Sequence, residues 1–206
     1  MPGLINAVRQ CVEAVVADHA QIRRYGEKFH GTKISAGHLP VDLVQKVGLQ
    51  MMAVVRLMRA FDQAHVPLLP QISSRLIRHL YNAEIHWKAK FEPGVAIVHG
   101  CGLVISHAAT VGTGCILFQN VTLGESIDPV TRALGGPTLG RDVHVGPGAT
   151  IIGPISVGDR TKVMAGAVLT RSVPPDSLVR PAESTVVARQ GGPVPTSEDA
   201  PKAPRE

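Results

Sequence analysis

Two different hydrophobic rhythms divide the chain. In residues 3–24, Leu4, Val8, Cys11, Val15, His19 and Ile22 recur at steps of three and four, which predicts an amphipathic helix. The glycine-containing stretch 26–40 reads as a loop. Val44, Val47, Met51, Val54, Met58 and Phe61 again step by three and four and predict a helix over 40–64. Pro67 and Pro70 break it. A short helix over 71–81 is expected to turn Ile72, Leu76 and Leu80 inward, with Arg75 and Arg78 on its other side. Met51, Met52 and Met58 suit a core or a subunit contact, because a flexible thioether fills irregular space.

From residue 85 the rhythm changes to six. Ile85, Phe91 and Ile97 are followed, after a slip of two residues, by Ile105, Val111, Leu117 and Leu123. A long loop, 124–138, interrupts the series, and Leu139, Val145, Ile151, Val157, Val163 and Leu169 resume it. The fourth residue after each of these is small or β-branched, as at Ala89, Cys101, Cys115, Ala149 and Ala167. Six residues suit a short strand and a tight turn, where glycine adopts turn dihedrals without a steric penalty. Three such units make one triangular coil. No coil buries its own apolar side, so coils must stack. A parallel β-helix of about four coils follows, with the regular apolar residue pointing inward. The expected organisation is a helical region over 1–83, a hexapeptide-repeat β-helix over 84–188 and a disordered tail over 189–206. That tail is rich in Pro and charge and lacks apolar periodicity.

Length and composition narrow the chemistry. The 206 residues allow one core with a small helical cap. The net charge of +5 fits a phosphorylated ligand. Nucleic acid fits less well, since the basic residues are scattered and few aromatics are available to stack on bases. No apolar run is long enough to span a membrane, and the N-terminus has no basic region before its apolar stretch, so neither a membrane nor a secretory signal is expected. The three cysteines, Cys11, Cys101 and Cys115, have no close spacing. A reducing compartment, the cytoplasm, is therefore expected, and the thiols read as small buried hydrophobes. His107 and His144 raise the question of a metal, but a tight His pair is missing and no metal is expected.

The stretch from Glu84 to Glu125, EIHWKAKFEPGVAIVHGCGLVISHAATVGTGCILFQNVTLGE, resembles the catalytic core of serine O-acetyltransferases. The family pattern is an acid followed by Ile-His, then His-x-x-Gly-Ile-Val-Ile, then Gln-x-Val-Thr-Leu-Gly. The two-residue slip, at Leu103-Val104, falls where the family has it. The later run up to Val173-Pro174-Pro175 is similar to the family's closing coils. Together the similar segments cover 84–175.

The resemblance implies an α+β chain whose β-helix is left-handed and whose activity is acetyl transfer from acetyl-CoA to a hydroxyl. It makes His99 the catalytic base. An imidazole is suited to taking a hydroxyl proton near neutral pH. It makes Glu84 the partner of His99, since a carboxylate on one ring nitrogen fixes the tautomer and stabilises the imidazolium. Here Glu replaces the family's Asp. Gly124, Pro147 and Ala165 match positions lining the acetyl-CoA groove, and Lys162 is placed to meet a phosphate. A backbone N–H in the groove would hold the oxyanion; Pro147 has none and only shapes the wall. His86 aligns with a frequent family His.

Some positions depart from the pattern. Val98 stands where the family usually has an Asp that helps hold substrate. Gly135-Gly136 stand where it has an Arg-His pair implied to bind the amino acid's carboxylate, and loop 124–138 is two residues longer. Arg132, in that loop, is the candidate substitute, and the loop itself reads as a lid. L-serine is the first candidate acceptor, with O-acetylserine for cysteine synthesis as product. A sugar or other hydroxylated metabolite is the alternative acceptor, and a non-catalytic hexapeptide scaffold is the alternative class. The resemblance also implies a homotrimer, with helical regions able to pair trimers. The C-terminus, Pro-Arg-Glu, lacks the Ile through which the family docks a sulfhydrylase, so no such docking is expected.

Overall fold

The structure, a computed structural model, describes residues 2–30, 38–128, 130–183 and 185. The tail expectation and the sulfhydrylase-docking expectation fall on residues outside that set. Four helices come first: α1 (Pro2–His30), α2 (Leu39–Gln45), α3 (Val47–Gln63) and α4 (Leu69–Tyr81). Short strands follow. Coil one holds β1 (Glu84–Ile85), β2 (Lys90–Phe91) and β3 (Ala96–Ile97); coil two holds β4 (Val104–Ile105), β5 (Thr110–Val111) and β6 (Ile116–Leu117). Coil three begins with β7 (Thr122–Gly124), projects a hairpin of β8 (Ser126–Ile127) and β9 (Leu134–Gly135), and continues through β10 (Thr138–Leu139) and β11 (His144–Val145). Coil four is β12 (Thr150–Ile152), β13 (Ser156–Val157) and β14 (Lys162–Val163). β15 (Val168–Leu169), a bridge at Val173 and β16 (Leu178–Val179) close the stack.

The coils stack as three parallel sheets, the faces of a triangular prism. Sheet A is β1-β4-β7-β12-β15, sheet B is β2-β5-β10-β13, and sheet C is β3-β6-β11-β14-β16. Their registers bring the six-residue rhythm into columns. Ile85, Ile105, Leu123, Ile151 and Leu169 run down sheet A, and Ile97, Leu117, Val145, Val163 and Val179 run down sheet C. All but the half-buried Val179 are fully or almost fully buried. Each buried Leu, Ile or Val contributes about 1.5–3 kcal/mol relative to exposure, so the columns form the core.

The corner from sheet C to sheet A explains the slip. One residue per coil takes a left-handed backbone there: Asn82, Gly102, Asn120, Gly148 and Gly166, with φ between 49° and 69°. Gly102 to Asn120 and Gly148 to Gly166 are 18 residues apart, but Asn82 to Gly102 is 20. The two extra residues are His99 and Gly100, both at positive φ (67° and 65°). The insertion is therefore a bulge at 99–100 and not at Leu103-Val104, and Leu103 keeps the inward position. Cys101 is consequently exposed, contrary to the expectation that it packs inside. Cys115 is buried as expected.

The helices also correct the sequence reading. α1 continues through Gly26, which is buried, to His30. The helix expected over 40–64 is broken at Lys46, whose backbone is extended (φ −107°, ψ 101°). On α4 the inward face is Pro70, Ser73 and Ile77, while Ile72, Leu76 and Leu80 are exposed. On the inward side Ile77 is fully buried and the Ser74 hydroxyl donates to the Ile85 carbonyl at 2.6 Å, docking α4 over coil one. A buried ion pair ties the helices to the coils. Asp18 of α1 accepts from Arg56 of α3 and from the amides of Gly94 and Val95, each at 2.8–2.9 Å.

Candidate active site

His99 stands where the bulge, α1 and α3 meet. A left-handed backbone costs a histidine about 1–3 kcal/mol, and such strain persists where surrounding structure enforces it. Here Gly100 is pressed against Met51, and a Cβ at Gly48 would collide with the Ile97 carbonyl oxygen, so α3 lies directly on the strand leading into the bulge. The result is an exposed His99 at the mouth of a cleft of about 420 Å³. Ile22, Tyr25, Val47, Leu49 and Val98 give it apolar walls, and Lys46 is the one Lys or Arg lining it among the described residues. Among the described residues, that lining holds no Asp or Glu side chain.

A buried network fixes Lys46. Its ammonium lies 3.1 Å from Asp42, whose carboxylate also meets His19 at 2.7 Å. Burial pushes the Asp42 carboxyl up, but the bonds from His19 and Lys46 outweigh it and leave the pKa below the ordinary value.

Glu84 lies in a different recess, with Arg78, Asn82, Gly102 and Val104. Its carboxylate is held by Arg78 at 2.6 Å, both side chains being more than half exposed. Among the described residues no hydrogen bond joins Glu84 to His99.

The donor-site candidates are spread over one face and its edge. Gly124 ends β7 on sheet A. Pro147 and Ala165 sit at the sheet C to sheet A corner on consecutive coils, where Gly166 N–H donates to the Pro147 carbonyl at 2.9 Å. Cβ atoms built at Gly148 and Gly166 would touch nothing within 4 Å, so this corner is an open, small-residue track. Lys162 is set apart. It projects from sheet C into a cavity of about 140 Å³ under α1, shared with Arg24, Tyr25, Asp142 and His144. Burial first, then Lys162 and Lys28, push the His144 pKa down.

Arg132 is exposed at the hairpin tip, with φ 58°. The Asp128 carboxylate shapes that tip by accepting from the amides of Val130 and Thr131 at 2.8 and 2.6 Å. Among the described residues, no group of three or more His, Cys, Asp or Glu side chains could hold a metal ion. No described helix is long and apolar enough to cross a membrane.

Two features escaped the sequence reading. One is the helical side of the His99 cleft, Tyr25 and Lys46, for which spacing carries no signal. The other is a contact of His107 Nδ1 with Glu125 Oε2 at 2.8 Å. Its signal was present, since residues 107 and 125 are 18 apart, one coil of three hexads.

The bacterial transferase hexapeptide (six repeats) family model matches residues 136–171. A serine acetyltransferase from Synechococcus elongatus is 36% identical over 144 residues, 70% of this chain and 58% of the relative. The chain thus spans less than two thirds of that relative's length. A serine acetyltransferase from Helicobacter pylori is 31% identical over 142 residues, 69% of this chain and 82% of the relative. A solved serine acetyltransferase in complex with CoA superposes with a TM-score of 0.72 at 20% identity, covering 85% of this chain and 68% of that one. That likeness is one of fold, a helical region followed by a left-handed parallel β-helix. With the Helicobacter relative matched over most of its length, the chain belongs to the serine acetyltransferase family.

Proposed function

We propose that this chain is an O-acetyltransferase that moves acetyl from acetyl-CoA to the hydroxyl of L-serine, supplying O-acetylserine for cysteine biosynthesis. The observation that carries the reading is His99, displaced by a two-residue bulge into a strained backbone at the mouth of a cleft. In the proposed reaction His99 takes the hydroxyl proton as oxygen attacks the thioester carbon. The tetrahedral oxyanion collapses, the C–S bond breaks, and CoA leaves as the thiol with the proton from His99. Glu84 orients His99, which requires its carboxylate to leave Arg78. Gly124, Pro147 and Ala165 line the donor groove, Lys162 meets a donor phosphate, and Arg132 meets the acceptor carboxylate. The related CoA-bound structure supports CoA as the donor's carrier. The working unit is a homotrimer, with paired trimers as the larger assembly, and the compartment is the cytoplasm. The helical region extends over 1–83 and the acetyltransferase domain over 84–188.

A sugar or other neutral hydroxyl acceptor is a second reading. It is favoured by the cleft lining, which among the described residues offers no carboxylate to an ammonium group. An acceptor panel separates the two. Thiol release from acetyl-CoA is followed with L-serine, 3-hydroxypropionate and neutral sugars, for wild type and His99→Asn. Turnover with serine that the variant loses supports the first reading. Turnover with sugars alone replaces it with the second, and no turnover with any acceptor overturns both.

A further inference from the structure

The corner from sheet A to sheet B carries a cluster with no part in the reaction outlined above. Register places Trp87, His107 and Glu125 at the same point of coils one, two and three. His107 Nδ1 lies 2.8 Å from the Glu125 carboxylate, with the two side chains 45% and 35% exposed. A side-chain contact so exposed adds little stability, typically about 0–1 kcal/mol, so folding does not explain it.

The surroundings orient the pair. His86 stacks on Trp87 with centroids 4.0 Å apart and faces the His107 ring at 5.5 Å. The amide of Lys88 donates to His86 Nδ1 at 3.1 Å, so that nitrogen carries no proton. Burial, then His107 and Lys88, push the His86 pKa down and favour its neutral form, while Glu125 and Glu84 oppose them. With Nδ1 engaged by the Glu125 carboxylate, His107 Nε2 is the ring nitrogen left for a ligand. The Glu125 carboxylate is the negative charge of this centre. Glu125 follows Gly124, so the centre adjoins the expected donor groove. The returning arm of the hairpin adds no side chain, because Gly136 lies so close to the Ala108 carbonyl that a Cβ would meet it at 2.8 Å.

We propose that His107, positioned by Glu125, binds the ammonium group of the acceptor and thereby selects an amino acid over an acceptor lacking nitrogen. The proposal rests on the acetyltransferase reading. It supplies a negative charge that no described residue lining the cleft beside His99 provides. His99 and His107 stand on opposite edges of sheet A, so an acceptor touching both lies between two copies of the chain.

The test compares L-serine with 3-hydroxypropionate, which keeps the hydroxyl and carboxylate and lacks the amine. Wild type, His107→Gln, Glu125→Gln and His99→Asn are assayed for kcat and KM on both. The expected result is a fall of about tenfold or more in kcat/KM for serine in His107→Gln and Glu125→Gln, carried by KM, with 3-hydroxypropionate little changed. His99→Asn loses both through kcat. An unchanged preference for serine in both corner variants overturns the proposal while leaving the acetyltransferase reading intact. Absence of wild-type turnover on either acceptor overturns the reading on which it rests. Circular dichroism of each variant excludes a folding defect as the cause.

Discussion

Asp18→Ala is expected to uncouple the helices from the coils, because it removes an acceptor with four hydrogen bonds. Its carboxylate takes Arg56 Nε and Nη2 and the amides of Gly94 and Val95. Asp18 is fully buried and Arg56 is 5% exposed. Removing Asp18 leaves the guanidinium buried with carbonyl partners only, including Glu92 O at 2.7 Å. Breaking a buried pair from one side costs about 3–5 kcal/mol, more than the pair itself is worth. The double variant Asp18→Leu with Arg56→Met removes the stranded charge and is expected to recover about 1 kcal/mol or more of that loss. Urea unfolding gives the size, read from the midpoint at constant slope. Amide exchange gives the place, since Gly94 and Val95 lose their acceptor and should lose protection first. A loss below about 1 kcal/mol for Asp18→Ala, with the two amides still protected, would show that the Asp18–Arg56 pair does not tie the helices to the coils.

Three further outcomes follow from packing and charge. The Asp42 carboxyl titrates below its ordinary value of 3.8, so its contribution is present above that pH and lost as pH falls through the lower folded value. Asp42→Asn should flatten the dependence of the urea midpoint on pH in that acid range, and an unchanged acid limb would contradict the network. Burial pushes the Cys115 thiol up to about 12, whereas Cys101 is exposed, so a thiol reagent should modify Cys101 in the folded protein and reach Cys115 only on unfolding; mass spectrometry of the labelled peptides checks this. Gly48→Ala places a methyl against the Ile97 carbonyl and should cost about 1–3 kcal/mol while displacing α3 from the His99 cleft; unchanged stability and activity would show that α3 is free to shift.

The β-helix was legible because a six-residue repeat constrains every coil in the same way. Ile105, Leu139 and Val163 could be placed inward from spacing alone. The bulge was harder to place. A slip of two residues is visible in the count, but only the ladder of left-handed residues from Asn82 to Gly166 shows that His99 and Gly100 are the surplus. The helices were less legible. Ile72, Leu76 and Leu80 repeat as regularly as Ser73 and Ile77, and only the packing of α4 on coil one, with Ile77 buried and Ser74 bonded to Ile85, shows which face turns in. The cleft beside His99 was not legible at all, since Tyr25, Lys46 and His99 meet only through long-range packing of α1 and α3 on coil one.

His99 is expected to transfer a proton during acetylation of serine. The most direct test is the product itself. L-serine and acetyl-CoA are incubated with wild type or with His99→Asn, and the amino acid is analysed by mass spectrometry and proton NMR. The account predicts O-acetylserine with wild type and about a hundredfold to ten-thousandfold less with the variant. Equal product from the two proteins, or unmodified serine alongside wild-type acetylation of a different hydroxyl, would contradict it.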